Sequence, residues 1–208
     1  MINYNPFDDL ATDYECWFLE NDIVFQTELL ALKQAVPPGK TGVEIGIGSG
    51  IFAEKLGIKH GIDPSESMLA YARKRGLEVQ NGFAEELPYD DESFDFAAFI
   101  TSLCFVNNPE LALSEAYRIL IRGGEVIIAI IDRETRFGEF LDKGKDKSRF
   151  YKYAQFYSVP EIESLLERQG FIMNAIIQTL ADPATFRVES PEEGYGKGSF
   201  VVIKAVKT

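Results

Sequence analysis

The chain has 208 residues, 46% of them hydrophobic, which suits one globular domain with a substantial core. Gly and Pro number 17 and 9, short of a disordered composition, and no apolar run approaches the roughly 20 residues that cross a bilayer, so a soluble protein with no membrane partner is expected. With 21 Lys and Arg against 33 Asp and Glu, the formal charge of −12 repels phosphate backbones and disfavours nucleic acid as a partner.

Met1 to Asp9 is polar and acidic, without the basic and apolar segments of a signal peptide, so a cytoplasmic protein is expected. Cys16 and Cys104 lie in apolar surroundings with no CxxC or His partner nearby, which reads as buried free thiols and no metal site. Asp13 to Ala35 carries Trp17, Leu19, Val24, Phe25, Leu29 and Leu32, predicting one or two helices laid on a sheet as a lid and ended by Pro37-Pro38-Gly39.

From Thr41 onward, short β-branched runs alternate with amphipathic stretches, the rhythm of a parallel sheet flanked by helices. Strands are predicted at Val43 to Ile47, Lys59 to Ile62, Leu77 to Gln80, Phe94 to Ile100, Glu125 to Ile131, Phe171 to Thr179 and Ser199 to Val206. Helices are predicted at Ile51 to Leu56, at Ser65 to Arg75 closed by Gly76, and from the Asn108 N-cap and Pro109 through Leu120. Another follows the Ser158-to-Glu161 capping box and runs to Gly170. No internal repeat or linker divides the chain, and Asp182 to Gly198 reads as a Gly-rich, acidic loop whose end, Gly194 to Gly198, is a flexible turn.

Val43 to Gly50 places Gly46, Gly48 and Gly50 where a buried strand turns into a helix, the position of ligands in open α/β sheets. A dinucleotide G-x-G-x-x-G fails, because counting from Gly46 the third glycine position is Ile51. A phosphate loop fails too: counting from Gly42 its second glycine position is Ile47, and no Lys-Ser/Thr pair follows. Glu44 would repel a pyrophosphate but accept hydrogen bonds from an ammonium. Asp63, ending the second strand, offers two oxygens to the hydroxyls of a ribose. Together these residues ask for a ligand with a ribose, a positive amine and no phosphate.

They resemble the class I S-adenosylmethionine-dependent methyltransferases, in particular the small-molecule, quinone-biosynthesis-like branch called methyltransferase type 11. Glu44 to Gly50 is similar to the family's E-x-G-x-G-x-G motif, and Gly61-Ile62-Asp63-Pro64-Ser65 to its second-strand motif. Gly82 to Tyr89 resembles the G-D-A-E-x-L-P-F segment, Ser93-Phe94-Asp95 the S-F-D opening, and Ala116 to Leu120 with Gly123-Gly124 the R-V-L-K-P-G-G turn. Phe7 through Trp17 resembles the N-terminal F-D-x-x-A-x-x-Y-x-x-W-F cover.

The resemblance implies a Rossmann-like α/β fold: a seven-stranded, mostly parallel sheet with helices on both faces and the last strand antiparallel. In this single domain, residues 1–40 would be the lid, 41–132 the cofactor-binding half and 133–208 the substrate side. Glu44, Gly46, Ile47 and Gly48 would hold the methionine moiety of S-adenosylmethionine, with Tyr14 reaching its carboxylate. Asp63 would take the ribose, Pro64 and Met68 would pack near the adenine, Phe83, Ala84 and Glu85 would lie beside it, and Thr101 would sit beneath the sulfonium. Phe83 stands where the family usually has an Asp, and Cys104 follows Ser102-Leu103 where it often has a His.

Methyl transfer needs proximity and orientation in a dry cavity and no obligatory catalytic side chain. The only histidine, His60, opens the second strand, away from the strand ends that form a site. Tyr14, Trp17, Phe105 and Tyr151 are candidates to face the cationic sulfur. The acceptor, a small molecule, would be enclosed by the lid, the Arg133 to Tyr157 segment and the Asp182 to Gly198 loop. Within that segment Phe150, Tyr151, Tyr153, Phe156 and Tyr157 either line an apolar pocket or pack a core. Lys143, Lys145, Lys147, Arg149 and Lys152 either attract an anionic acceptor or form a solvated face of paired charges. A protein that binds the cofactor or its product without transfer, and a nicotinamide-dependent oxidoreductase, are the alternatives at this point. Oligomeric state is not encoded in these patterns.

Overall fold

A computed structural model describes residues 7–180 and 187–208. Part of the Met1 to Asp9 reading and the start of the Asp182 to Gly198 loop lie outside the described residues. Among the described residues, eight strands form one sheet: β1 (Gly42–Ile45), β2 (His60–Asp63), β3 (Glu78–Asn81), β4 (Phe94–Ile100), β5 (Leu120–Ile131), β6 (Phe171–Thr179), β7 (Glu192–Glu193) and β8 (Phe200–Lys207). Their spatial order is β3-β2-β1-β4-β5-β8-β6-β7. The first five are parallel, and β8 inserts antiparallel between β5 and β6. This is the expected α/β Rossmann-like fold, with one strand more than expected: the two-residue β7 pairs with Ile177 and Gln178.

β4 explains why the sheet is covered on both sides. Phe96, Ala98 and Ile100 enter one core, Ala97 and Phe99 the other, as period-2 alternation requires of a strand buried on both faces. The first core gathers Phe18, Phe25, Leu32, Phe52 and Leu69 from α1 (Phe7–Glu20), α2 (Asp22–Ala35), α3 (Ile51–Leu56) and α4 (Glu66–Lys74). The second gathers Leu113, Ala116, Ile162 and Leu166 from α5 (Pro109–Ile119) and a later helix, Val159–Arg168.

Helix ends follow their sequence signals. The Ser65 and Asn108 side chains accept from Met68 N–H and Leu111 N–H, and Ser158 and Glu161 form the expected reciprocal capping box. The helix at Arg136–Gly144, α6, was not foreseen; Thr135 caps it, and the later helix Val159–Arg168 is α7. β5 begins at Leu120 rather than Glu125, because buried Leu120 pairs with Phe94 while Gly123, at φ +76°, turns the strand outward. Two further expectations are corrected. Cys16 is exposed on the outer face of α1 rather than buried. The Gly194 to Gly198 turn is fastened, since the Gln178 side chain accepts from both Lys197 N–H and Gly198 N–H at 2.9 Å.

Candidate functional site

The carboxyl ends of β1, β2 and β4 open into a cavity of about 710 Å³, beneath α1 and beside residues 81–85. Its floor is the turn after β1. Gly46 lies at φ +75°, and a Cβ there would stand 2.4 Å from the Ser102 Cβ, so only glycine lets β4 close against the turn. Gly48, at φ +53°, presents bare backbone to the cavity, with only the Met68 Cε within 4 Å of an added Cβ. Ser102, which the sequence reading passed over, donates to the Ile45 carbonyl at 2.6 Å and ties the end of β4 to β1.

Asp63 ends β2 with its carboxylate turned across the sheet. One oxygen accepts from Gly48 N–H and the other from Ser65 N–H, both at 2.8 Å. These bonds favour the anion, but burial outweighs them and pushes the carboxyl up to about 6. Glu44 is 3% exposed, and its Oε2 has no hydrogen-bond partner. Burial and the nearby Asp63 drive its carboxyl well above the usual range. Among the described residues no Lys, Arg or His pairs with either acid. Asp63 therefore gives the cavity an acidic edge with no cation beside it, and Glu44 adds a second acid buried behind the turn, an arrangement suited to a cation.

Of the expected site residues, Tyr14, Gly46, Gly48, Asp63, Pro64, Met68, Phe83, Ala84, Glu85 and Thr101 line this one cavity. Glu44 lies buried behind the turn, and the Ile47 side chain packs into the core over Gly61. Thr101 holds φ +51°, a strained conformation for a β-branched residue, at the end of β4. Glu85 also fastens the wall: its Oε1 accepts from Asn107 N–H and Asn108 N–H. Tyr153, of the aromatic group read as either pocket lining or core, is in the lining too, as are Phe7, Asn81, Phe105, Val106 and Asn107, which were not assigned as binding residues from sequence. Phe105 was singled out there only as an aromatic candidate. Of the other aromatic candidates, Tyr151 stacks on Phe105 at 6.5 Å and Trp17 packs against the core.

Side-chain contacts pin α1 over the cavity. Ser65 Oγ donates to Asp8 at 2.6 Å, Arg75 pairs with Glu15 at 2.6 Å, and Phe7 meets Phe105 edge-on at 5.1 Å. In the basic insert Lys143 pairs with Glu139, Lys145 with Asp142 and Arg149 with Asp13 of α1, while Lys152 Nζ lies 5.5 Å over the ring of Tyr153, which lines the cavity. His60 pairs with Glu78 at the far end of the sheet. Among the described residues no cluster of His, Cys, Asp or Glu could hold a metal ion, and no helix is long and apolar enough to cross a membrane.

Residues 43–128 match the family described as methyltransferase domain. A solved Thermotoga maritima structure, described as a SAM-dependent methyltransferase and possible histamine N-methyltransferase, is 46% identical, with a TM-score of 0.94 over 98% of this chain and 99% of that one. An uncharacterized protein of Methanocaldococcus jannaschii is 43% identical over 98% of this chain and 99% of its own length. One from Mycobacterium tuberculosis is 32% identical over 94% of this chain and 72% of its own length.

Proposed function

Because the chain belongs to the S-adenosylmethionine-dependent methyltransferase family, we propose that it transfers a methyl group from S-adenosylmethionine to a small-molecule acceptor. The observation that carries this reading is the unpartnered Glu44 Oε2, buried beside a glycine turn whose backbone is open to the cavity. Such an oxygen is costly unless a donor arrives, and the α-ammonium of the cofactor is a donor of the right charge. When bound, the cofactor supplies an electrophilic methyl group on a cationic sulfur.

The remaining work belongs to the chain. Gly48 admits the ligand to the backbone, and Asp63, oriented by Gly48 N–H and Ser65 N–H, keeps lone pairs free for the ribose hydroxyls. Pro64 and Met68 offer apolar contact to the base. Tyr14, Phe105 and the pinned α1 exclude water, which strengthens electrostatic contacts within. Thr101 stands at the strand end where donor and acceptor would meet. The acceptor named for the Thermotoga maritima relative, histamine, is a small molecule, which supports that part of the reading.

Replacing Asp63 with Ala removes charge-assisted bonds of about 1.5–3 kcal/mol, so affinity for S-adenosylhomocysteine is expected to fall at least tenfold by calorimetry. Unchanged affinity would contradict the ribose assignment. Transfer of labelled methyl to any member of an acceptor panel separates an enzyme from a binding protein.

A further inference from the structure

Arg75, the C-cap of α4, does not line the cavity, yet it touches a residue next to each of two of its walls. Its Nη1 donates to the Ser49 carbonyl at 3.0 Å, one residue beyond Gly48 in the glycine turn that forms the floor. Its Nη2 donates to the Glu15 carboxylate at 2.6 Å, one residue beyond Tyr14, which lines the cavity from α1. The Arg75 and Glu15 side chains are only 17% and 19% exposed, so water screens the pair weakly. The other Glu15 oxygen, Oε1, is buried and has no hydrogen-bond partner, so among the described residues the guanidinium is the one polar partner of this carboxylate. Glu54, 3.7 Å from the same guanidinium, is more exposed and also pairs with Lys55. The opposite end of α4 repeats the arrangement: Ser65 donates its N–H to Asp63 and its hydroxyl to Asp8 of α1.

We propose that Arg75 is a positioning residue for cofactor binding: its guanidinium seats α1, with Tyr14, over the glycine turn, and only the seated form encloses S-adenosylmethionine. The proposal rests on the cofactor placement above. A guanidinium presents its N–H donors in a fixed planar fork, so one side chain serves a carbonyl and a carboxylate at once, which an ammonium on a flexible stem does not. Without it, seating α1 buries the Glu15 carboxylate with no cation, and lifting α1 returns that charge to water. The seated form then becomes a minor fraction. A ligand enclosed by both walls binds that form alone, so its apparent affinity drops by the same factor. Removing Glu15 as well takes away the charge that opposes seating, and part of the affinity returns. A purely structural arginine would instead lower the stability of the whole chain and leave the affinity of the folded protein unchanged.

The test is calorimetric titration of the full chain with S-adenosylhomocysteine, as wild type, Arg75→Ala, Glu15→Ala and the double variant, under conditions where circular dichroism shows each to be folded. Arg75→Ala is expected to bind at least tenfold more weakly than wild type and Glu15→Ala at least fivefold. The double variant should bind at least threefold more tightly than Arg75→Ala, the opposite of what two independent losses would give. Affinity of Arg75→Ala within threefold of wild type overturns the proposal, as does a double variant that binds no more tightly than Arg75→Ala. Should Arg75→Ala not fold, Glu15→Ala decides alone: a fivefold loss supports the proposal and wild-type affinity overturns it. Failure of the wild-type protein to take up S-adenosylhomocysteine would instead strike the cofactor reading, and this proposal with it.

Discussion

Gly46 and Gly57 have nearly the same backbone, at φ +75° and +74°, but different surroundings: a Cβ at Gly46 meets Ser102 at 2.4 Å, and one at Gly57 meets nothing within 4 Å. Gly57→Ala is therefore expected to cost only backbone strain, about 1 kcal/mol. Gly46→Ala adds a clash of roughly 1–3 kcal/mol more and weakens cofactor binding as well. Urea midpoints and S-adenosylhomocysteine titrations of the two variants check this. Glu28 makes a different prediction. Burial raises its carboxyl to about 8 from an ordinary 4.5, so the folded state holds a proton that the unfolded state releases. Stability from this group is full below pH 4.5 and is lost as pH rises toward 8. Tyr14 and Tyr151 are the titratable groups beside it, and both are pushed to higher pKa, so neither charges in that range. The melting temperature of Glu28→Gln should match wild type near pH 4.5 and exceed it progressively up to pH 8. Parallel pH curves would contradict the burial of this charge.

At the scale of elements, the hold on α1 sets how tightly the cavity is covered. Arg75, at the end of α4, reaches Glu15 at 2.6 Å and the Ser49 carbonyl at 3.0 Å, and is mostly buried. Arg75→Ala should therefore lower hydrogen-exchange protection of α1 by about tenfold, with little change in β4 and β5. Equal loss everywhere would show that α1 is part of the global fold rather than a separable cover. Strands, caps and the glycine turn were legible because each is a local pattern: period-2 burial, Ser65, Asn108 and Ser158 before helices, glycine at positive φ. What was not legible is set by distant partners. Arg118 belongs to a motif read only as a turn. Yet its guanidinium donates to the Leu87 and Tyr89 carbonyls and pairs with Asp91 and Glu115, which holds the cavity wall to α5. Asp95, likewise read only as a motif letter, accepts from Thr41 N–H and pairs with Lys40 at the start of β1. Neither contact leaves a periodic trace in the sequence.

For the whole molecule, the acidic balance expected to repel phosphate also places carboxylates inside: Glu28, Glu44 and Asp63 are all buried, and Asp63 lines the cavity. Net charge indicated a repulsion from anions, but only the fold shows which of the 33 acids are buried together. Paired charges in the basic insert were likewise legible only in part: Lys143 and Lys145 find acids three or four residues away, whereas Arg149 reaches Asp13, 136 residues distant, a partner only the fold reveals. The most direct test of the central claim is a pair of calorimetric titrations at neutral pH, one with S-adenosylhomocysteine and one with NADH. Stoichiometric binding of the first, with none of the second, is the outcome these carboxylates predict. Uptake of NADH alone would contradict it.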